Sequence, residues 1–149
     1  MHVLHAGEML EPSLGLQVVA EDQENGRYSW LGPLPRIQAL RALARARLAL
    51  STSRAEGGAN VLSEALALDV PILATRIPGT VGLLGDDYPG LFEVGDAATL
   101  ALLMSRAERD PAFLGALRAA CRGRAWIADR PRERAAWSAL ITGLGLPTG

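Results

Sequence analysis

The chain has 149 residues, of which 49% are hydrophobic and 21% are charged, and its formal net charge is −1. This length predicts one domain with a buried core, and no apolar run approaches the ~20 residues that a membrane-spanning helix needs. All 15 basic residues are arginines scattered along the chain, which argues against a nucleic-acid partner. We therefore expect a cytoplasmic protein without a membrane span. The first residues also lack the pattern of a secretory signal.

Apolar runs of strand length alternate with helical periodicities along the chain. This alternation is typical of βα units and predicts an α/β fold with a mainly parallel sheet. The predicted strands are His2–His5, Tyr28–Leu31, Leu48–Ser51, Pro71–Thr75 and Leu91–Val94. Helices are predicted over Pro35–Arg47 and Asn60–Leu68, after Asp96, after Asp110-Pro111, and as a terminal helix over 131–149.

Two further features concern the connections and the core. The segment Arg76–Gly90 holds four glycines and two prolines, which predicts a long ordered loop, with Asp86 and Asp87 in a turn. Cys121 is the only cysteine, so no internal disulfide can form. Because Cys121 shares a helical face with Leu114 and Leu117, we predict a buried thiol and not a nucleophile.

The most informative segment is 51–67, where Glu56 and Glu64 bracket the pair Gly57-Gly58 between a strand and a helix. Paired glycines allow close backbone approach to a ligand, and the free N–H groups of a helix start favour an anion. The amides of residues 58–61 therefore suit a diphosphate. Glu56 suits sugar hydroxyls, because a carboxylate repels phosphate, and Glu64 suits ribose hydroxyls. From the residues alone, two solvated carboxylates beside a plain turn remain an equal alternative.

The run from Glu56 to Glu64, followed by Ala65-Leu66-Ala67, Val70–Thr75 and Gly79, resembles the donor site of GT-B glycosyltransferases of family 4. The resemblance extends from about His5 to Arg124. It implies that residues 1–149 are the C-terminal, Rossmann-like nucleotide-sugar-binding domain of a GT-B fold. The implied reaction is a metal-independent, usually retaining transfer from a nucleotide-sugar donor.

The resemblance also assigns roles to single residues. Glu56 would hold the donor sugar as the catalytic residue, and Glu64 would bind the ribose. Leu34 would contact the base, and Gly79 completes the implied donor site. The main-chain amides on the diphosphate would come from Gly57, Gly58, Ala59, Asn60 and Val61. No metal and no cofactor besides the donor are implied.

Within that family, Glu56–Asn60 combined with Ile77–Phe92 resembles the selenosugar synthase branch of selenoneine biosynthesis. This branch implies a UDP-sugar donor and selenophosphate as the selenium source. The segment Thr80–Leu84 departs from the commoner Gly-Gly-x-x-Glu pattern, because it has no glutamate.

A GT-B enzyme has a second, acceptor-binding N-terminal domain, and the resemblance implies that this domain is absent here and that the N-terminal edge is truncated. The family's arginine and lysine on the diphosphate would precede this chain, which has no lysine. Arg54 and Arg76 are the nearby arginines, and we expect each to be a surface or carboxylate-paired residue. His2 and His5 should point to opposite strand faces and are not predicted to bind metal.

Two hypotheses follow from these expectations. In the first, the chain is the donor-binding half of a glycosyltransferase, which needs an N-terminal domain or a partner chain for activity. In the second, it is a non-catalytic Rossmann-like nucleotide-binding or interaction module left from a truncated or split enzyme.

Overall fold

The computed structural model describes residues 1–9, 12–55, 60–128 and 135. The chain forms two compact units, Met1–Ala42 and Leu43–Gly149. No helix among the described residues is long and apolar enough to cross a membrane.

The first unit is a β-α-β arrangement followed by the start of a further helix. Its elements are β1 (Val3–Ala6), α1 (Pro12–Glu24), β2 (Tyr28–Gly32) and α2 (Arg36–Arg45). β1 and β2 pair in parallel, which requires a crossover connection, and α1 provides it and packs on β2. The Asp22 carboxylate of α1 accepts a hydrogen bond from the Trp30 amide of β2 (2.7 Å), which ties the helix to the strand.

The second unit contains a three-stranded parallel sheet in the order β3-β4-β5. Its elements are β3 (Ala49–Ser51), α3 (Asn60–Ala67), β4 (Ile72–Thr75), α4 (Pro78–Leu84), β5 (Leu91–Phe92), α5 (Ala97–Arg109), α6 (Pro111–Arg124) and a 3-10 turn (Ala125–Ala128). Ala49 lies opposite Ile72, and Ala74 lies opposite Leu91. The strand order follows the chain order, with a helix in each connection.

The core of this unit is built around β4, which is buried along its whole length. Strands of a parallel sheet are covered on both faces, which explains the continuous apolar run over Ile72–Ala74. α5 and α6 pack on β4, and α3 packs on β3 and on α6. Leu62 of α3 and Leu117 of α6 are fully buried in this core.

Tyr88 closes the core in the turn that precedes β5. Its hydroxyl donates to the Ile72 carbonyl (2.8 Å), accepts from the Ile72 N–H (3.2 Å) and contacts the Cys121 Sγ (3.3 Å). Burial raises the pKa of the Tyr88 hydroxyl and of the Cys121 thiol, so both groups are protonated near neutral pH. The prediction that Cys121 is a buried residue is confirmed.

The helix starts predicted at two aspartates are confirmed. The Asp96 carboxylate accepts from the Thr99 amide (2.9 Å) and caps α5. The Asp110 carboxylate accepts from the amides of Ala112 (2.9 Å) and Phe113 (3.0 Å) and caps α6, whose first residue is a proline. Hydrogen bonds from the Thr99 side chain and amide lower the pKa of the Asp96 carboxyl, and the Phe113 amide does the same for the Asp110 carboxyl.

The five predicted strands all form, with ends that differ from the prediction by at most two residues. The long loop predicted over Arg76–Gly90 is wrong in its first half, because Pro78–Leu84 is the helix α4. Proline is well suited to a first helical position, and Thr80 and Leu84, one turn apart, are both buried. Burial of that face outweighs the low helix propensity of two glycines. The terminal helix predicted over 131–149 lies outside the described residues except for Ala135.

Candidate functional site

The carboxyl ends of β3 and β4 lie side by side, since Ser51 and Ala74 are their last paired residues. In parallel α/β sheets, ligands bind outside this edge. β3 continues into the segment 52–55, which precedes the predicted glycine-rich connection, and β4 continues toward α4. The predicted catalytic residue Glu56 and the predicted amide donors Gly57, Gly58 and Ala59 lie outside the described residues.

A buried hydroxyl joins the two strand ends. The Thr75 Oγ1 donates a hydrogen bond to the Ser53 carbonyl oxygen (2.6 Å), and Thr75 is 1% exposed. The hydroxyls of Ser51 and Ser53 are also in contact (3.4 Å). The backbone that leads toward Glu56 is thereby fastened to β4 two residues beyond the last pair of the ladder.

Helix α3 presents one buried face and one open face. Leu62, Ala65 and Leu66 are buried, which anchors the helix against the core. On the opposite face, Asn60 is exposed and Glu64, one turn later, is half-buried. The amides of the first helical turn have no acceptor within the helix, so Asn60 and Val61 add N–H donors to this open end.

The structure thus brings three of the predicted donor-site residues together on α3, namely Asn60, Val61 and Glu64. Val61 is 43% exposed, so this first turn is accessible. Gly79 follows β4 as the second residue of α4 and is half-buried. Leu34 lies in the first unit, between β2 and α2, where its side chain is half-buried. Its predicted contact with a nucleotide base stays a prediction.

Arg76, directly after β4, is engaged by two carboxylates. Its Nη1 contacts the Asp86 carboxylate and donates to the Asp86 carbonyl (3.1 Å), and its Nε lies 3.2 Å from the Glu93 carboxylate. The expectation of a carboxylate-paired Arg76 is therefore confirmed. Arg54 is exposed in the segment 52–55.

Both histidines are hydrogen-bonded to hydroxyl groups of β2. His2 Nε2 is hydrogen-bonded to the Ser29 hydroxyl (3.0 Å), and His5 Nδ1 is hydrogen-bonded to the Tyr28 hydroxyl. Within the ranges that the structure describes, no group of three or more His, Cys, Asp or Glu residues could hold a metal ion.

Sequence reasoning missed the link between Thr75 and Ser53. The signal in the sequence was that two consecutive predicted strands both end in hydroxyl residues. Thr75 follows the apolar run Pro71–Ala74, and the preceding strand ends in Ser51-Thr52-Ser53. Only the strand pairing shows that these two segments meet.

The parallel β3-α3-β4-α4-β5 order, with the open helix start at the carboxyl edge of the sheet, defines a Rossmann-like α/β domain. Residues 16–125 match the family model described as glycosyl transferases group 1. The chain belongs to this family. Among curated proteins, none matches this sequence.

Solved structures show the same fold. HepE from Anabaena in complex with UDP-glucose is 19% identical, with a TM-score of 0.67 over 92% of this chain and 41% of that chain. Sucrose-phosphate synthase from Thermosynechococcus elongatus is 22% identical, with a TM-score of 0.72 over 94% of this chain and 38% of that chain. The chain therefore spans about two fifths of the length of these proteins. The predicted fold is confirmed as α/β, with parallel sheets flanked by helices and the size of half a GT-B fold.

Proposed function

We propose that this chain is the donor-binding part of a group 1 glycosyltransferase and that it binds a UDP-sugar at the connection between β3 and α3. The observation that carries this proposal is the open first turn of α3 at the carboxyl edge of the sheet, within a chain of this family. The complex of the similar HepE with UDP-glucose supports the choice of donor class.

The chemistry of α3 suits a nucleoside diphosphate. The N-terminal end of a helix carries a partial positive charge and unpaired N–H groups, so the amides of Asn60 and Val61 favour the diphosphate. Glu64, one turn further on, is an acceptor for the hydroxyls of the ribose. Glu56 would hold the donor sugar, and Gly57, Gly58 and Ala59 would add amides, so the donor is bound without a metal.

Catalysis requires groups beyond those on α3. Charge develops on the leaving diphosphate, and preorganised cations stabilise it. Arg76 is occupied by Asp86 and Glu93, and the chain has no lysine. We therefore place the missing cations and the acceptor site on an N-terminal GT-B domain or a partner chain.

The acceptor assignment rests on the motifs around Glu56 and Ile77–Phe92, which resemble those of selenosugar synthases. On that basis we propose selenophosphate as the acceptor. Mixing the chain with an N-terminal GT-B domain, a UDP-sugar and selenophosphate would test this step. Release of UDP that depends on selenophosphate supports it, and release that requires a hydroxyl acceptor instead contradicts it.

The alternative is a non-catalytic nucleotide-binding or interaction module. The ion pairs of Arg76 favour this alternative, because they occupy the cation next to the sheet edge. The two candidates differ in turnover. Transfer of a glycosyl group by the chain with an added N-terminal domain would exclude the alternative.

Calorimetry with UDP and UDP-glucose tests the donor site directly. The wild-type chain should bind UDP, and Glu64→Ala should weaken binding at least tenfold, because a hydrogen bond to a charged group contributes about 1.5–3 kcal/mol. Glu24→Ala, at the exposed end of α1, is the matched control and should bind as the wild type does. Equal affinities of the Glu64→Ala and Glu24→Ala variants would contradict the proposed site.

A further inference from the structure

Two threonines of the second unit are equally buried but differ in their hydrogen bonds. Thr75 and Thr80 are each 1% exposed. The Thr75 hydroxyl donates to the Ser53 carbonyl (2.6 Å), whereas the Thr80 hydroxyl has no hydrogen-bond partner within the described part of the chain. The Thr75–Ser53 hydrogen bond is part-buried, and because its donor side chain is buried, water replaces the Ser53 carbonyl poorly if the bond breaks. Of the two threonines, Thr75 is therefore the one whose hydroxyl is seen to restrain another segment, through its bond to Ser53.

The position of Ser53 shows what that consequence is. The β3–β4 ladder ends at Ser51 and Ala74, so Ser53 lies beyond the regular pairing. Its carbonyl is three residues before Glu56, and the residues on either side of it, Thr52 and Arg54, are exposed. A hydroxyl from the neighbouring strand thus adds a restraint to a segment whose flanking residues are exposed.

We propose that Thr75 is a positioning residue whose hydroxyl holds the segment Thr52–Ala55 at the carboxyl edge of the sheet, on the approach to the proposed donor site. The ligand part of this inference rests on the proposed function. The argument for a restraint of the segment rests on the Thr75–Ser53 hydrogen bond and needs no ligand. Valine has the shape of threonine without the donor, and serine keeps the donor.

Tryptic cleavage measures the restraint without any ligand. The chain contains no lysine, so trypsin cuts only after arginine, and Arg54 lies inside the restrained segment. Thr75→Val should speed cleavage after Arg54 about three- to tenfold, the change expected for the loss of one hydrogen bond. Thr75→Ser and Thr80→Val should leave that rate within about twofold of the wild-type rate, since neither loses a hydrogen bond that holds this segment.

Cleavage after Arg109, an exposed residue at the end of α5, is the internal control for general unfolding. The Arg54 rate should rise in Thr75→Val while the Arg109 rate stays constant. An unchanged Arg54 rate overturns the proposal. So does a parallel rise at both sites, because it would mean that Thr75 contributes only to global stability.

The second measurement is the UDP dissociation constant. Thr75→Val should raise it about three- to tenfold, and Thr75→Ser should restore it. A dissociation constant that stays at the wild-type value in Thr75→Val, despite faster cleavage after Arg54, overturns the positioning role. A wild-type chain that binds no UDP refutes the proposed function instead, while the cleavage rates still decide whether Thr75 restrains the segment.

Discussion

The Tyr88 hydroxyl substitutes for a missing strand partner, and its removal should be costly. The Ala74 N–H donates to the Gly90 carbonyl on the β5 side of β4, and alternate residues of a strand direct their backbone groups to the same side. The backbone N–H and carbonyl of Ile72 therefore also point toward the β5 side of β4, but β5 begins only at Leu91. The Tyr88 hydroxyl satisfies both the N–H and the carbonyl of Ile72, which is 0% exposed.

The magnitude of Tyr88→Phe follows from these two backbone groups. A buried polar group left without a partner costs about 1–3 kcal/mol, so losing both bonds should lower the free energy of unfolding by about 2–6 kcal/mol. Domains of this kind have about 5–15 kcal/mol in total. With a urea slope of about 2 kcal/mol/M, in the middle of the ordinary range, the unfolding midpoint should fall by about 1–3 M.

Urea denaturation followed by circular dichroism measures this shift. Tyr28→Phe is the matched control. Its hydroxyl is hydrogen-bonded to an exposed side chain, that of His5, and not to a buried backbone group. That change should cost no more than about 0.5 kcal/mol. A midpoint for Tyr88→Phe that equals the Tyr28→Phe midpoint would refute the idea that Ile72 depends on this hydroxyl.

The remaining predictions concern glycines and an ion pair. Gly90→Ala should lower the free energy of unfolding by about 1–3 kcal/mol, because the added Cβ would lie 2.5 Å from the Ile72 carbonyl oxygen. Gly115 lies on α6, and a Cβ added there would meet open space, so Gly115→Ala should raise the free energy of unfolding by about 0.5–1 kcal/mol. A Gly90→Ala variant that is more stable in urea than Gly115→Ala would contradict the packing argument. Asp69 accepts a two-point hydrogen bond from Arg122, which lowers the pKa of the Asp69 carboxyl from 3.8. Its contribution to stability is therefore present above pH 3.8 and is lost as the pH falls through the lower folded value. Asparagine tolerates the positive φ of 57° at this position, so Asp69→Asn should fold as the wild type does. The variant should lose less stability than the wild type as the pH falls, as measured by thermal melts at a series of acidic pH values. An unchanged dependence of the melting temperature on pH would contradict this prediction.

Much of the fold follows from local patterns. Strand-length apolar runs, and aspartates followed by helical periodicity, are short-range signals, and the structure forms strands and helices where they occur. The start of α6 shows why, since Asp110 binds amides only two and three residues ahead. Such a contact depends on neighbouring residues alone.

Local patterns failed where burial was decisive. The glycines and prolines of Arg76–Gly90 indicated a loop, but the burial of Thr80 and Leu84 stabilises α4 within it. At the candidate site, too, local patterns indicated only those features that depend on neighbouring residues. Asn60, Val61 and Glu64 were predicted from the helix start after the glycine pair and from the family resemblance, whereas the link from Thr75 to Ser53 joins two residues that are 22 positions apart in the chain.

The sequence by itself therefore determined the α/β class, the helix caps and the residues on the open face of α3, because each depends on the period or the chemistry of a short segment. Only the tertiary structure decided that α4 is a helix, that Arg76 is paired with Asp86 and Glu93, and that the Thr75 hydroxyl is hydrogen-bonded to the Ser53 carbonyl. These outcomes depend on which segments pack together, and burial and long-range pairing then select among conformations that local preferences leave open.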